Sequence, residues 1–559
     1  VYYDFEHIGY LAQQKTVLII FAYLLLCVSL VCALLQPFVV ALAVFGIAGV
    51  VILVIRWPHI GLLLLCACAG FPALVLPLPG HHMHLVEPAT GLCFITTIIR
   101  RPLARFSVPH LLALAFLLLA LISFAHIPEI ASSAQGDDTY GANKRLLALC
   151  VVFGAFFCGT LLATYIKDGA RFLIGMLFLS LPPYLIGLAE FIGVPLAPWL
   201  EASGANSIKM TAGRLWGPFP WSVNFGMYLI NLFAIAIVCW LLGKGRRQRT
   251  GGGLMTLITA LSIIGTGTKS VAIAASVIMF IAFSVTQRFK LLISTLLLAL
   301  VVSAPFSAQI QAIFTHDEAS TANRLLIWNL ALKLIQTHPW LGIGLEQFHY
   351  YYAQLIVSRA NELGPQGIHP HEQYLEWAME SGLPWLIIGM LLLLSIIVCC
   401  TQAYYATQRE QHDQKKQNDQ YSQHERQNRQ DQHDQDSHRM MLLAAALAIL
   451  ANIIVGFFDA PLDQLEGPIV LFLLAGIALG YTKSWVIPNP ARVWRNPQEP
   501  HTSPHRSVTM HIDRTIRFRK TASEEEKIDQ DSKHTSTRLD STSTGRTIVI
   551  QLLAWGVAI

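Results

Sequence analysis

The chain is built from apolar runs of about 15–22 residues separated by short polar turns, and this spacing constrains the fold more than any other feature. Each run is long enough to cross a bilayer as a helix, and none alternates with the two-residue period of a membrane barrel. Only 13% of the 559 residues are charged, against about 25% in an ordinary soluble domain. Fourteen candidate spans follow: about 17–35, 37–55, 60–79, 85–99, 108–126, 145–166, 172–192, 219–243, 253–267, 270–286, 290–306, 384–402, 441–459 and 467–483. The expected class is an all-α polytopic membrane protein of about 12–14 transmembrane helices with one large outer loop. The first run is followed at once by a second, so it reads as a retained span.

Charge between the spans sets their direction. With the N-terminus and Lys15 in the cytoplasm, the cytoplasmic turns hold Arg56; Arg100, Arg101 and Arg105; Lys167 and Arg171; Lys244, Arg246, Arg247 and Arg249; and Arg288 with Lys290. The opposite face receives HHMH (81–84), loops 127–144 and 193–218, Lys269 and the long loop 307–383. Dropping one span would invert every later cluster. Both termini then lie in the cytoplasm. The net charge of +5 is small and sits in these turns, which points to membrane orientation and away from nucleic acid.

The expected organisation is an N-terminal transmembrane bundle (15–306), the outer loop (307–383), C-terminal transmembrane helices (384–483) and a polar cytoplasmic tail (484–559). The Gln/His/Asp/Arg tract 403–439 interrupts the third part and reads as a disordered cytoplasmic linker by composition. The ten cysteines lie in apolar stretches and read as small core residues, without the spacing of a disulfide frame or zinc site. HHMH has no carboxylate or Cys partner in ligand spacing, so no metal site is expected.

Three elements face the outer side. They are Arg214 in TAGRLWGPFPW (211–221), Lys269 in GTGTKS (265–270) and the pair His369/His371 in HPHEQYLEWAMESG (369–382). Cations beside glycine-rich turns suit a phosphate or diphosphate, and a nearby His can deprotonate a hydroxyl. Lys269 interrupts what would otherwise be one long helix, and an ionisable residue there is functional by default. Arg214, at a span end, fits a snorkelling anchor as well. Pro370 reads as the first helical position, which puts His371 in the first turn. The helix dipole there favours a neutral ring and Glu372 opposes it. His369 reads as a cap or supporting group. Arg324 and Trp328, four apart, share one helix face and suit loop packing or substrate contact equally.

In this order the elements resemble the O-antigen ligase and O-antigen polymerase superfamily of integral membrane glycosyltransferases. The likeness is carried by Arg214-Leu-Trp-Gly217 before a span, Gly267-Thr-Lys269-Ser270 at a helix break, Arg324-x3-Trp328 with His338-Pro-Trp-Leu-Gly-Ile-Gly344, and His371-x-x-Tyr-Leu-x4-Glu380-x-Gly382. It covers about residues 15–483.

The resemblance implies a GT-C fold in a bacterial inner membrane with the site facing the periplasm. It implies an inverting, metal-independent reaction without a cofactor. Arg214 and Lys269 would hold the diphosphate of an undecaprenyl-linked glycan donor. His371 would activate the acceptor hydroxyl, on lipid A-core or on another glycan, with Arg324 and His369 in support. Membrane lipids are the remaining partners, and no nucleic acid is implied. The sequence departs from the family in having Lys at 269, where Arg is usual, and Glu at 372, where Asn is frequent. Lys keeps the charge and loses the bidentate fork. Transfer to a protein Ser/Thr is a further acceptor class. From other classes, a polysaccharide transporter or flippase suits the span number, but the span centres are nearly free of charge and no repeat is evident. A scaffold has no use for the outward cations.

Overall fold

A computed structural model describes residues 38–72, 75–78, 81–100, 107–126, 138–191, 214–303, 318–352, 370–418, 425–462 and 465–482. The expected first span, His369 and the tail 484–559 lie outside these residues. The described part is helical and bears out the expected class, a polytopic all-α membrane protein. Six of its helices are long and apolar enough to cross a membrane, and four shorter apolar helices accompany them.

The first helices are α1 (Phe38–Arg56), α2 (Pro58–Ala69), α3 (Val86–Arg100), α4 (Val108–Ala125), α5 (Asp138–Leu162), α6 (Gly169–Leu179) and α7 (Leu181–Phe191). After the loop containing Arg214 come α8 (Ser222–Leu242), α9 (Arg246–Thr266), α10 (Lys269–Val285) and α11 (Phe289–Ser303). The outer loop contributes α12 (Glu318–Thr337), and α13 (Gln373–Asn418), α14 (Glu425–Gly456) and α15 (Glu466–Gly480) close the chain.

Two expectations are corrected. The run 60–79 is not one span: α2 ends at Ala69, and Val75–Leu78 (β1) pairs antiparallel with His81–His84 (β2). Pro72, Pro77 and Pro79 remove the amide donors a continuous helix would need. The run 172–192 falls within Gly169–Glu190, a stretch long and apolar enough to cross a membrane, with a turn at Ser180 dividing α6 from α7 where Pro182 and Pro183 open the second. The second correction concerns the tract 403–439, most of which is helix, since α13 continues to Asn418 and α14 begins at Glu425. At its membrane ends the tract makes specific contacts. Asp436 pairs with Lys244 and accepts from Gln411 Nε2 (2.8 Å), while Arg439 donates to Gln411 Oε1 (2.7 Å) and stacks on Tyr404. Those contacts give polar helix ends a tertiary partner that composition does not reveal.

The core centres on α8, whose residues are buried nearly all round. Its sequence carries no charge, as a helix surrounded by helices requires. Around it pack α9, α10, α14 and α15, and α15 in turn crosses α5. That last crossing is set by small residues. A Cβ on Gly476 would stand 2.1 Å from the Phe156 carbonyl oxygen, and one on Gly480 would stand 2.7 Å from that of Thr160. Glycines four apart let two backbones touch where lipid supplies no hydrophobic drive for association. Asn231 of α8 donates to the Gly467 carbonyl (3.1 Å), and Asn452 of α14 donates to Asn231 (2.7 Å), pinning three helices together inside the bundle.

Charges separate by end. Arg100 donates to the carbonyls of Ile55 and Arg56, and Lys244, Asp436, Asp168 and Ser437 meet at a common end. At the opposite end, Lys269 opens α10, Arg214 and His371 precede α8 and α13, Asp459 follows α14, and Arg324 lies in the first half of α12. This alternation matches the one read from the basic clusters.

Candidate active site

Four chain segments converge on Asp459. Its amide bonds the Val455 carbonyl (3.0 Å), which continues the last turn of α14. Ser270, the second residue of α10, donates from Oγ to Asp459 Oδ2 at 3.0 Å. His371 Nδ1 lies 3.9 Å from Oδ1, within ion-pair reach and beyond hydrogen-bond length. Arg324 of α12 donates to the neighbouring Phe458 carbonyl at 3.0 Å, and its charge favours the Asp459 carboxylate. Asp459 is only 8% exposed. Burial pushes its carboxyl up to about 6, against the opposing pull of Arg324 and Ser270.

His371 is held by its own backbone. It adopts φ +52°, a left-handed conformation that costs an ordinary residue about 1–2 kcal/mol. Its neighbours fix that turn. Trp328 Nε1 donates to the Pro370 carbonyl (2.9 Å), and Glu372 caps the helix by accepting from the Leu375 amide. The helix therefore begins at Gln373, so His371 stands before its cap and not in the first turn as Pro370 suggested. A carboxylate in the capping role satisfies free amides and the positive helix end, so the chain leaves Pro370 extended and turns at His371. Burial raises the Glu372 carboxyl, and the amides it accepts from draw it back. The side chain of His371 remains 41% accessible, open to a substrate.

The cationic elements adjoin this group. The Leu215 amide donates to the Gly265 carbonyl (2.9 Å), laying the Arg214 segment along the break between α9 and α10. Gly267 turns that break with φ +64°, and a Cβ there would lie 3.1 Å from Arg214 Nε. Glycine thus provides both the turn and the seat for the guanidinium. Lys269 opens α10 next to Ser270, which touches Asp459. Arg214 is exposed and Lys269 half-buried, so a ligand can reach both. The structure therefore brings Arg214, Lys269, Arg324 and His371 to the same end of the bundle, and Arg324 takes a bond that orders the Asp459 turn.

The run His338–Gly344 buttresses the site from behind. Its Ile343 and Gly344 amides donate to the Met379 and Glu380 carbonyls (2.9 Å each), and Leu383 donates back to Pro339 (2.8 Å). These bonds satisfy carbonyls freed where α13 breaks at Gly382, φ +83°. Glu380 is buried and accepts from the Glu346 amide (3.0 Å). Glu376, also buried, lies 3.6 Å from Arg145 of α5. Both acids are built into the scaffold. Among the described residues no group of three or more His, Cys, Asp or Glu stands together as metal ligands.

Asp459 was not singled out from the sequence, although a signal was present. It is the one acid of the apolar run 441–459, and the reasoning that marked Lys269 applies equally to it.

Comparison with known proteins agrees with this picture. Residues 254–390 match the family model described as O-antigen ligase. A Rickettsia conorii protein named "Putative polysaccharide ligase" is 25% identical over 185 residues, covering 31% of this chain and 43% of that protein. A Rickettsia felis protein of the same name is 24% identical over 191 residues, covering 31% of this chain and 46% of its own length. The chain thus matches less than half the length of these relatives. Lys269, Arg324 and His371 all fall inside the family match, and through that stretch the chain is similar to the O-antigen ligase superfamily.

Proposed function

We propose that the protein is a membrane glycosyltransferase. It moves a glycan from an undecaprenyl-diphosphate-linked donor to an acceptor hydroxyl at the periplasmic face of a bacterial inner membrane, with lipid A-core as the acceptor. The observation that carries the reading is the convergence of His371, Asp459 and the Lys269–Ser270 break, with Arg214 seated over Gly267. A carrier needs its ionisable groups near the membrane centre, whereas these gather at helix ends.

In this reading Arg214 and Lys269 bind the donor diphosphate. Asp459 accepts from His371 Nδ1–H, which leaves the lone pair on Nε2. The acceptor oxygen attacks the anomeric carbon while Nε2 takes its proton. The bond from that carbon to the phosphate oxygen breaks, and undecaprenyl diphosphate leaves with the electron pair, its charge met by the two cations. Attack opposite the leaving group inverts the anomeric configuration. The 3.9 Å separation of His371 and Asp459 suits a site that tightens when substrate enters. No step calls on a metal or cofactor.

The test is transfer from lipid-linked glycan by the purified protein. His371→Ala should lower turnover by about 10²–10⁴-fold and spare donor binding. Arg214→Ala and Lys269→Ala should each cost about 10²–10³-fold, with Lys269→Arg retained. If both alanine variants turn over normally, the diphosphate binds elsewhere. Gene deletion followed by surface-glycan analysis identifies the acceptor. Polymer retained on the lipid carrier and lost from core supports the ligase, a single capped repeat indicates a polymerase of the same superfamily, and loss confined to glycoprotein indicates protein O-oligosaccharyl transfer.

A further inference from the structure

The helix break and the His371 turn lie far apart in sequence, and one hydrogen bond joins them through a shared carboxylate. A serine in the first turn of a helix ordinarily bonds to backbone in its own turn. Ser270 instead reaches Asp459, 189 positions away, from a buried site. Asp459 follows the C-terminal end of α14, where the helix dipole opposes a negative charge. What favours the carboxylate comes from other segments: Ser270 and the N-terminal end of α10, Arg324 of α12, and His371 ahead of α13. Glu372, the acid next to His371 in the chain, is engaged in capping α13.

We propose that Ser270 is a positioning residue that ties the cationic break to the base. Its hydrogen bond holds Asp459 ionised and aimed at His371, so the segment that receives the donor diphosphate at Lys269 also sets the ring that activates the acceptor. The proposal rests on the reading of His371 as the base. Its consequence is order: donor bound at residues 265–270 stiffens the Ser270–Asp459 contact before the acceptor reacts.

The experiment measures kcat and donor KM across pH for the full-length protein, its Ser270→Ala and Asp459→Asn variants, and the double variant. Removing the hydroxyl withdraws a donor from the charged form of Asp459, so the acid limb of kcat should move to higher pH. Below neutral pH, kcat should fall about tenfold, with donor KM within about threefold of the parent. In the Asp459→Asn background the Ser270 change should add nothing, because the carboxylate it serves is gone. An unmoved acid limb, an undiminished cost in the double variant, or loss of folded protein with normal kcat per folded molecule overturns the proposal. If His371→Ala is inactive while Ser270→Ala behaves as the parent, this inference alone falls. If His371→Ala turns over normally, the reading of the base falls first.

Discussion

At the scale of single residues, the proposed chemistry turns on Asp459. Its carboxyl ionises near 6, above the ordinary 3.8, because burial disfavours the charge. The native state therefore holds this proton between about pH 4 and 6 where the unfolded chain has released it, so stability from this group falls as pH rises through that window. Activity has the opposite sign. The ionised carboxylate is the stronger acceptor for His371 Nδ1–H and stabilises the imidazolium that forms, so kcat/KM should rise with pH through about 6. Asp459→Asn should abolish that limb and lower kcat by tenfold or more, about 1.4 kcal/mol or above, without loss of inserted protein. A pH profile of the Asn variant that still bends near 6 would assign the limb to another group.

At the scale of elements, the breaks do the positioning. Gly267 separates α9 from α10, and Gly382 separates the first turns of α13 from its membrane span. At Gly382 a Cβ would meet the Trp340 carbonyl oxygen at 2.2 Å, and the residue sits at φ +83°. Gly382→Ala should therefore destabilise the outer loop by about 1–3 kcal/mol and loosen His338–Gly344 from residues 379–383. Limited proteolysis between 338 and 352 reads this directly, and an unchanged cleavage rate would show that the contact is not what holds the loop. The sequence motifs HPWLGIG and ESG were legible as separate strings. That each needs the other's glycine was not, because the contact spans some forty residues of loop.

At the scale of the whole molecule, alternation of charge along the chain and separation of charge in space agree. Arg100 and Lys244, from the basic clusters assigned to one face, stand at one end of the described helices, and Arg214, Lys269, Arg324 and His371 stand at the other. A reporter at residue 425 should therefore report cytoplasm and one at residue 360 the opposite side. Finding both on one side would break the parity and scatter the site.

The span pattern was readable without tertiary information because bilayer insertion is a local test: each run of apolar residues passes or fails on its own length and charge. Arg214, Lys269 and His371 stood out for the same reason, as ionisable groups at the margins of such runs. Two kinds of feature depended on the folded chain. One is local choice between near-equal alternatives. Val75–Leu78 pairs with His81–His84 where a helix was expected, and Glu372 took the cap that Pro370 seemed to claim. The other is partnership at long range. Nothing in the string joins Ser270 to Asp459, or Trp328 to the carbonyl of Pro370. Packing α10 and α14 against α8 brings the first pair together, and α12 against the start of α13 the second. Hydrogen bonds between segments so distant form only after the helices between them have packed.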